Sequence, residues 1–170
     1  MENEWYIYKV TIRNQLTSLL PTMFFNVILL FIFIYLEFNL IAIFFTLLFF
    51  ILIDTLPTIL VHLNYLKHNG NLVLKINPKK KSLIYITTHD SFEYKFDDIL
   101  LIEYIRSSTF HSGKFSFGQY RYCRFLFKDK KRLVITSLMI KNIDQIFEDL
   151  FGRKIECSGK KILCFIDEGD

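Results

Sequence analysis

The chain has 170 residues, of which 52% are hydrophobic, and a formal net charge of +4. The length allows one or two domains and excludes most large catalytic folds. Nineteen Phe and nine Tyr against six Gly and three Pro exclude collagen-like and disordered chains, and so modest a charge does not by itself imply nucleic acid.

Trp5, Tyr6 and Tyr8 precede the first apolar run and suit a headgroup interface. Trp5, Tyr8, Ile12 and Leu16 recur at helical spacing, which predicts a short interfacial helix leading into a membrane. Between Arg13 and Lys67 there is no Lys or Arg, and the only formal charges are Glu37 and Asp54. Leu16 to Leu36 is almost wholly apolar. Its 21 residues span roughly 31 Å, about one hydrocarbon core. Leu40 to Leu60 is a second run of the same length, separated from the first by Glu37-Phe38-Asn39. The pattern predicts two transmembrane helices, over about 16–36 and 40–60, joined by a tight turn. A secretory signal does not fit, because the first run is too long and no small-residue cleavage site follows it.

Lysine and arginine set the orientation. Lys9 and Arg13 flank one end, Lys67, Lys75 and Lys79-Lys80-Lys81 flank the other, and the connecting turn carries none. Both termini are therefore expected in the cytoplasm, with Glu37 outside. Asp54 falls about two turns inside the cytoplasmic end of the second span. An intramembrane carboxylate is a functional candidate. The competing reading is that Pro57 ends the helix early and leaves Asp54 at headgroup depth. Asn26 is expected to bond Thr46 or a carbonyl across the hairpin. Pro21 is expected in about the first turn of its helix, where proline is tolerated.

Composition changes near Asn64. From there to Asp170 stand 19 Lys plus Arg against 13 Asp plus Glu, a net +6. Leu72, Leu74 and Ile76 alternate with Val73 and Lys75, and Asn77-Pro78-Lys79-Lys80 follows as a turn. Ser82–Thr88, Phe92–Phe96, Ile99–Ile105, Tyr120–Phe127 and Arg132–Thr136 also read as strands, with a long loop over Ser107–Gly118. Ile143, Ile146, Phe147 and Leu150 predict a helix. Asn142 would cap it with Gln145 in a capping box, and Gly152 would end it. Ile155–Cys157 and Lys161–Ile166 could form a terminal hairpin about Ser158-Gly159. The expected division is residues 1–66 as interfacial segment and membrane hairpin, 67–152 as a cytoplasmic domain, and 153–170 as a tail.

The stretches LVLKINPKKKSLIYI, EYKFDDILLIEYI and FLFKDKKRLVITSLMIKNIDQIFEDLF carry a resemblance. Their run of short strands closed by one amphipathic helix resembles the pleckstrin-homology-like (PH-like) fold, in the form of the bacterial PH-like domains that follow transmembrane hairpins. The resemblance covers Leu72 to Phe151. It implies an α+β protein: a two-helix transmembrane hairpin followed by a PH-like antiparallel β-barrel or sandwich capped by a C-terminal helix. It also implies that Lys79, Lys80 and Lys81 occupy the place where lipid-binding PH domains hold phosphoinositide headgroups. The Lys-x-Arg pattern that accompanies that site in strand two is absent here.

Chemistry-bearing patterns are sparse. His62, His68, His89 and His111 form no metal-ligand spacing, and Cys123, Cys157 and Cys164 form no CxxC. Cys123 alternates with Phe125 and Phe127 as a core residue. Gly113-Lys114 lacks the earlier glycine of a phosphate loop. No nucleophile, base and orienter can be assembled, so neither catalysis, metal nor cofactor is expected. Two basic clusters remain: Lys79, Lys80 and Lys81 in one turn, and Lys128, Lys130, Lys131 and Arg132 in another. They read as solvated hairpin tips, as contacts to the anionic inner leaflet worth about 1 kcal/mol per cation, or as contacts to a partner.

The expected protein is a non-catalytic integral membrane protein of a bacterial inner membrane. It would present a PH-like module that docks a protein partner or the anionic leaflet. The expected partners are membrane lipid, a protein and further copies of the chain, with no nucleic acid. Phe, Ile, Asn and Lys richness hints at an AT-rich bacterial genome. Size and membrane content also allow an immunity protein that protects a bacterium against a membrane-acting secreted toxin, with Asn26 and Asp54 in the contact. A transporter subunit would rest on Asp54 alone.

Overall fold

A computed structural model describes residues 4–37, 39–108 and 115–167. The first element among the described residues is strand β1 (Tyr6–Lys9), not an interfacial helix. The helical spacing of Trp5, Tyr8 and Ile12 coincides with an alternation of Tyr6, Tyr8 and Val10, and the alternation prevails. Aromatic and β-branched residues favour a pleated surface, and Tyr8 and Val10 pack on the core. Thr11 then ends the strand. Its hydroxyl accepts from the Asn14 N–H at 3.2 Å and caps helix α1 (Ile12–Tyr35).

Two helices are long and apolar enough to cross a membrane: α1 with 24 residues, and a 30-residue helix over Leu40–Asn69. The second is α2 (Leu40–Phe50), a π turn (Ile51–Thr55) and α3 (Leu56–Asn69) in unbroken succession. Asn39 caps α2 by accepting from the Ile41 N–H, and Glu37 adopts φ +53° in the turn before it. Pro57 does not end the helix early. Proline has no N–H for the carbonyl four residues back and its ring clashes there. The helix widens over Ile51–Thr55, where the Leu56 N–H bonds Ile51 O five residues back, and continues to Asn69. Pro21 lies in the interior of α1, because that helix begins earlier than the apolar run does.

Strands β2 (Val73–Asn77), β3 (Ser82–Ile86) and β4 (Ser91–Lys95) follow. A 3-10 connector (Phe96–Asp98) leads to β5 (Ile99–Ser107). A short 3-10 turn (Ser116–Gln119) precedes β6 (Arg121–Phe127) and β7 (Arg132–Thr136), then α4 (Ile143–Phe151) and β8 (Ile155–Lys161). The strands form two four-stranded sheets, β1-β2-β3-β4 and β7-β6-β5-β8. Every pair is antiparallel except β5 with β8. The tail is thus one parallel strand and not a hairpin. Cys157 faces Tyr104 and Gly159 faces Ile105, so Ser158 is the extra residue of a bulge, not part of a turn.

The pairing of β1 with β2 runs from Tyr6↔Ile76 to Lys9↔Val73. Both helices therefore emerge between two neighbouring strands of one sheet. The main core lies between the sheets, with Leu74, Ile76, Tyr85, Ile102, Phe125 and Phe127 buried, and α4 closes it with Ile143, Phe147 and Phe151. A second core joins α3 to the other sheet: Val61 and Tyr65 pack with Ile105, Tyr120, Tyr122 and Cys164. Cys123 and Cys164 are buried, and the Cys164 thiol donates to Ile105 O at 3.7 Å.

Candidate functional site

The two basic turns are held by their own backbones. Asn77 accepts from the Lys80 N–H at 2.9 Å, and Lys81 takes the left-handed φ of +49° that closes the β2–β3 turn. In the β6–β7 turn Lys130 has φ +66°, and Asp129 accepts from the Lys131 N–H at 3.1 Å. The side chains of Lys79, Lys80, Lys81, Lys128, Lys130, Lys131 and Arg132 are all exposed. Both turns are fastened to the two ends of one connector. The Phe96 N–H donates to Lys81 O at 2.7 Å, and the Lys128 N–H donates to Asp98 O at 2.9 Å. Lys154 Nζ donates to Phe96 O and Ile99 O and ties the same connector to the end of α4.

These turns share a pole of the fold, and it is not the pole of the helices. β1 hands the chain to α1 after Lys9, opposite Val73, whereas the β2–β3 turn follows Asn77 at the other end of β2. On the second sheet Asn69 of α3 clamps the far end of β7. Its amide donates to Val134 O at 2.8 Å and accepts from the Thr136 N–H at 2.8 Å. Five strand residues separate the poles by about 16 Å.

Ring and ion contacts shape the basic pole. Lys131 Nζ sits 3.8 Å from the centre of the Phe92 ring, and Lys79 pairs with Glu4 at 3.6 Å. The Tyr94 hydroxyl donates to Asp129 at 2.6 Å. That bond holds the Asp129 carboxyl below the usual carboxylate range, while burial raises the Tyr94 phenol.

Asn26 and Asp54 belong to a different cluster, at the junction of the helices with the second sheet. Asn14, Ser18, Thr22 and Asn26 recur every fourth residue and share one face of α1. Asn14 donates to Leu138 O at 3.0 Å, and Ser18 O accepts from Gln119 at 2.6 Å. Asn26 donates to Thr22 O and to the Thr55 hydroxyl, each at 2.8 Å. The cross-hairpin partner of Asn26 is thus Thr55 and not Thr46, whose hydroxyl bonds Ala42 O.

Asp54 is 8% exposed. Its two oxygens accept from the Ser116 N–H at 2.6 Å and the Ser116 hydroxyl at 2.7 Å. The Thr58 hydroxyl donates to Asp54 O. Lower on the same face, His62 Nδ1 and the Tyr120 hydroxyl lie 2.9 Å apart, and burial raises the Tyr120 phenol. Asn64 exchanges two hydrogen bonds with Ile166. Ser116 was hidden within a Ser- and Gly-rich stretch that carried no local signal for this role.

Of the other histidines, His68 lies in the last turn of α3 and His89 is exposed, and His111, with Lys114, lies outside the described residues. Among the described residues no three His, Cys, Asp or Glu side chains stand close enough to hold a metal. No curated protein and no solved structure is significantly similar to the chain. The PH domain family matches residues 7–146, a span that begins in β1, runs through both helices and ends within α4. The chain belongs to the PH domain family.

Proposed function

We propose that this is a non-catalytic, two-span membrane protein whose PH-like module docks an acidic protein partner through its basic pole. The observation that carries the reading is the fastening of both basic turns to one connector at the end of the sheets opposite the helices. Large apolar side chains cover the outside of both helices from Leu20 to Leu36 and from Leu40 to Leu63, far more than a soluble surface ordinarily exposes. Lys9, Arg13 and Lys67 then favour a cytoplasmic module.

Geometry favours a protein over the leaflet. The basic pole lies about 16 Å beyond the helix junction, roughly two Debye lengths at physiological ionic strength. Attraction to anionic headgroups is largely screened at that distance. The module is also not free to swing. α3 continues from the apolar segment into the second core without a break, and Asn64 and Asn69 hold the tail and β7.

Cross-linking of the full-length protein in native membranes tests this. Cross-links from Lys80 and Lys130 to acidic segments of one partner are expected. Co-purification of that partner should be lost when Lys79, Lys80, Lys130 and Lys131 are replaced by Glu, with membrane insertion unchanged. A partner retained by that variant overturns the reading. If that partner is a secreted toxin seated on Asn26 and Thr55, it speaks for immunity instead.

A further inference from the structure

A polar cleft of about 130 Å³ opens where α1 meets the second sheet, at the pole opposite the basic turns. α1 contributes Asn14, Thr17 and Ser18 to its wall. The chain before β6 adds Gln119, and β6 adds Arg121. The segment between β7 and α4 adds Ser137, Lys141 and Asn142. The Thr17 and Ser18 hydroxyls both donate to Asn14 O, and Asn14 and Gln119 each give one amide hydrogen to Leu138 O and Ser18 O. The two cations, Arg121 and Lys141, and the Asn142 amide are the donors that the wall turns to the cleft. Among the described residues of the wall none is acidic or apolar. The cleft is far larger than the ~15 Å³ that one water needs.

Two features aim this wall at an anion. Arg121 is held in place by Lys141 O at 2.8 Å and by the Asp144 carboxylate at 3.1 Å. Its planar guanidinium is thereby oriented before any ligand arrives. Asn142, the N-cap residue of α4, makes no capping hydrogen bond with its side chain. It lines the cleft instead, at the positive end of a nine-residue helix.

Depth decides which anion. Asn14 and Ser18 stand in the first two turns of α1, level with the exposed side chains of Ile12, Leu16 and Leu20 at the start of the apolar surface. In a two-span protein this is the plane of the inner-leaflet phosphates. We propose that the cleft holds the phosphate of an anionic lipid headgroup, seated between α1 and the segment that leads into α4. The principle is the one by which basic pockets on the cytoplasmic side of membrane helices take lipid headgroups. The lipid then bridges the hairpin and the module at a place distinct from Lys79, Lys80 and Lys81.

Native mass spectrometry of the full chain, released from nanodiscs of mixed phosphatidylcholine and phosphatidylglycerol, tests the site. A retained phosphatidylglycerol adduct is expected on the unaltered protein. Lys141→Glu should lower its occupancy about tenfold. Asn142→Asp should do the same while supplying an equally good helix cap, so lipid loss with undiminished thermal stability separates binding from folding. Inorganic phosphate, titrated in detergent, is the second arm. Stabilisation by phosphate that Lys141→Glu abolishes, with no lipid adduct, would keep the anion site but overturn the lipid as its source. An adduct on all forms equally, or no adduct and no response to phosphate, overturns the proposal. None of these variants touches the basic turns, so the result is independent of partner docking.

Discussion

Asp54 and Ser116 stand 62 residues apart and meet through two hydrogen bonds that occupy both oxygens of the carboxylate. The carboxylate comes from the widened turn of the second helix, and the serine opens the short 3-10 turn before β6. The pair therefore ties the apolar hairpin to the module at the level of Asn26 and Thr55.

Charge-assisted hydrogen bonds of this kind contribute about 1.5–3 kcal/mol each, and a buried donor left unpaired is costly. Asp54→Ala in the full chain is expected to destabilise by about 2 kcal/mol or more, measured by denaturant unfolding in detergent. Ser116→Ala removes only the hydroxyl bond and should cost about half as much. Equal stability of all three forms would show that the link is unimportant.

Asn69 reaches two backbone groups of β7 with one amide. Asn69→Ala leaves Val134 O and the Thr136 N–H without that partner, at about 1–3 kcal/mol for each buried group. Hydrogen exchange at the Thr136 amide should accelerate more than tenfold, while amides in β3 keep their rates. Unchanged protection at Thr136 would contradict the clamp.

The Tyr94–Asp129 bond predicts a pH dependence of definite sign. Its hydrogen bond lowers the Asp129 carboxyl in the folded protein. The stabilisation is therefore present above the ordinary carboxylate pKa of about 3.9 and is lost as pH falls through the lowered folded value. Tyr94→Phe should raise the Asp129 titration towards the ordinary value, followed by carboxyl carbon NMR. A titration that does not move would sink the assignment.

Much of this architecture is legible in the chain, and the boundary of legibility is physical. Apolar runs of membrane length announce the helices because length and polarity are local properties. Arg132–Thr136 appears as a strand with the bounds read from its alternation. The helix over Ile143–Phe151 shows its buried face in the same way. What escapes the sequence depends on distant partners. Tyr6 becomes a strand residue because Ile76, beyond the whole hairpin, pairs with it. Ser158-Gly159 looks like a turn until β5 lies alongside it. Asn142 has the spacing of a capping box with Gln145, yet its side chain lines the cleft. Ser116 offers no pattern at all, because its partner is a carboxylate on another element.

The most direct test of the account measures how far the basic pole stands from the membrane. Fluorophores are placed at Lys80→Cys and at Ile12→Cys in the full-length protein, in nanodiscs rich in phosphatidylglycerol, with headgroup-attached quenchers. Strong quenching is expected at position 12 and none at position 80, even at low salt. Quenching at position 80 that salt relieves would show the lysines lying on the leaflet, and would contradict a basic pole held out for a protein partner.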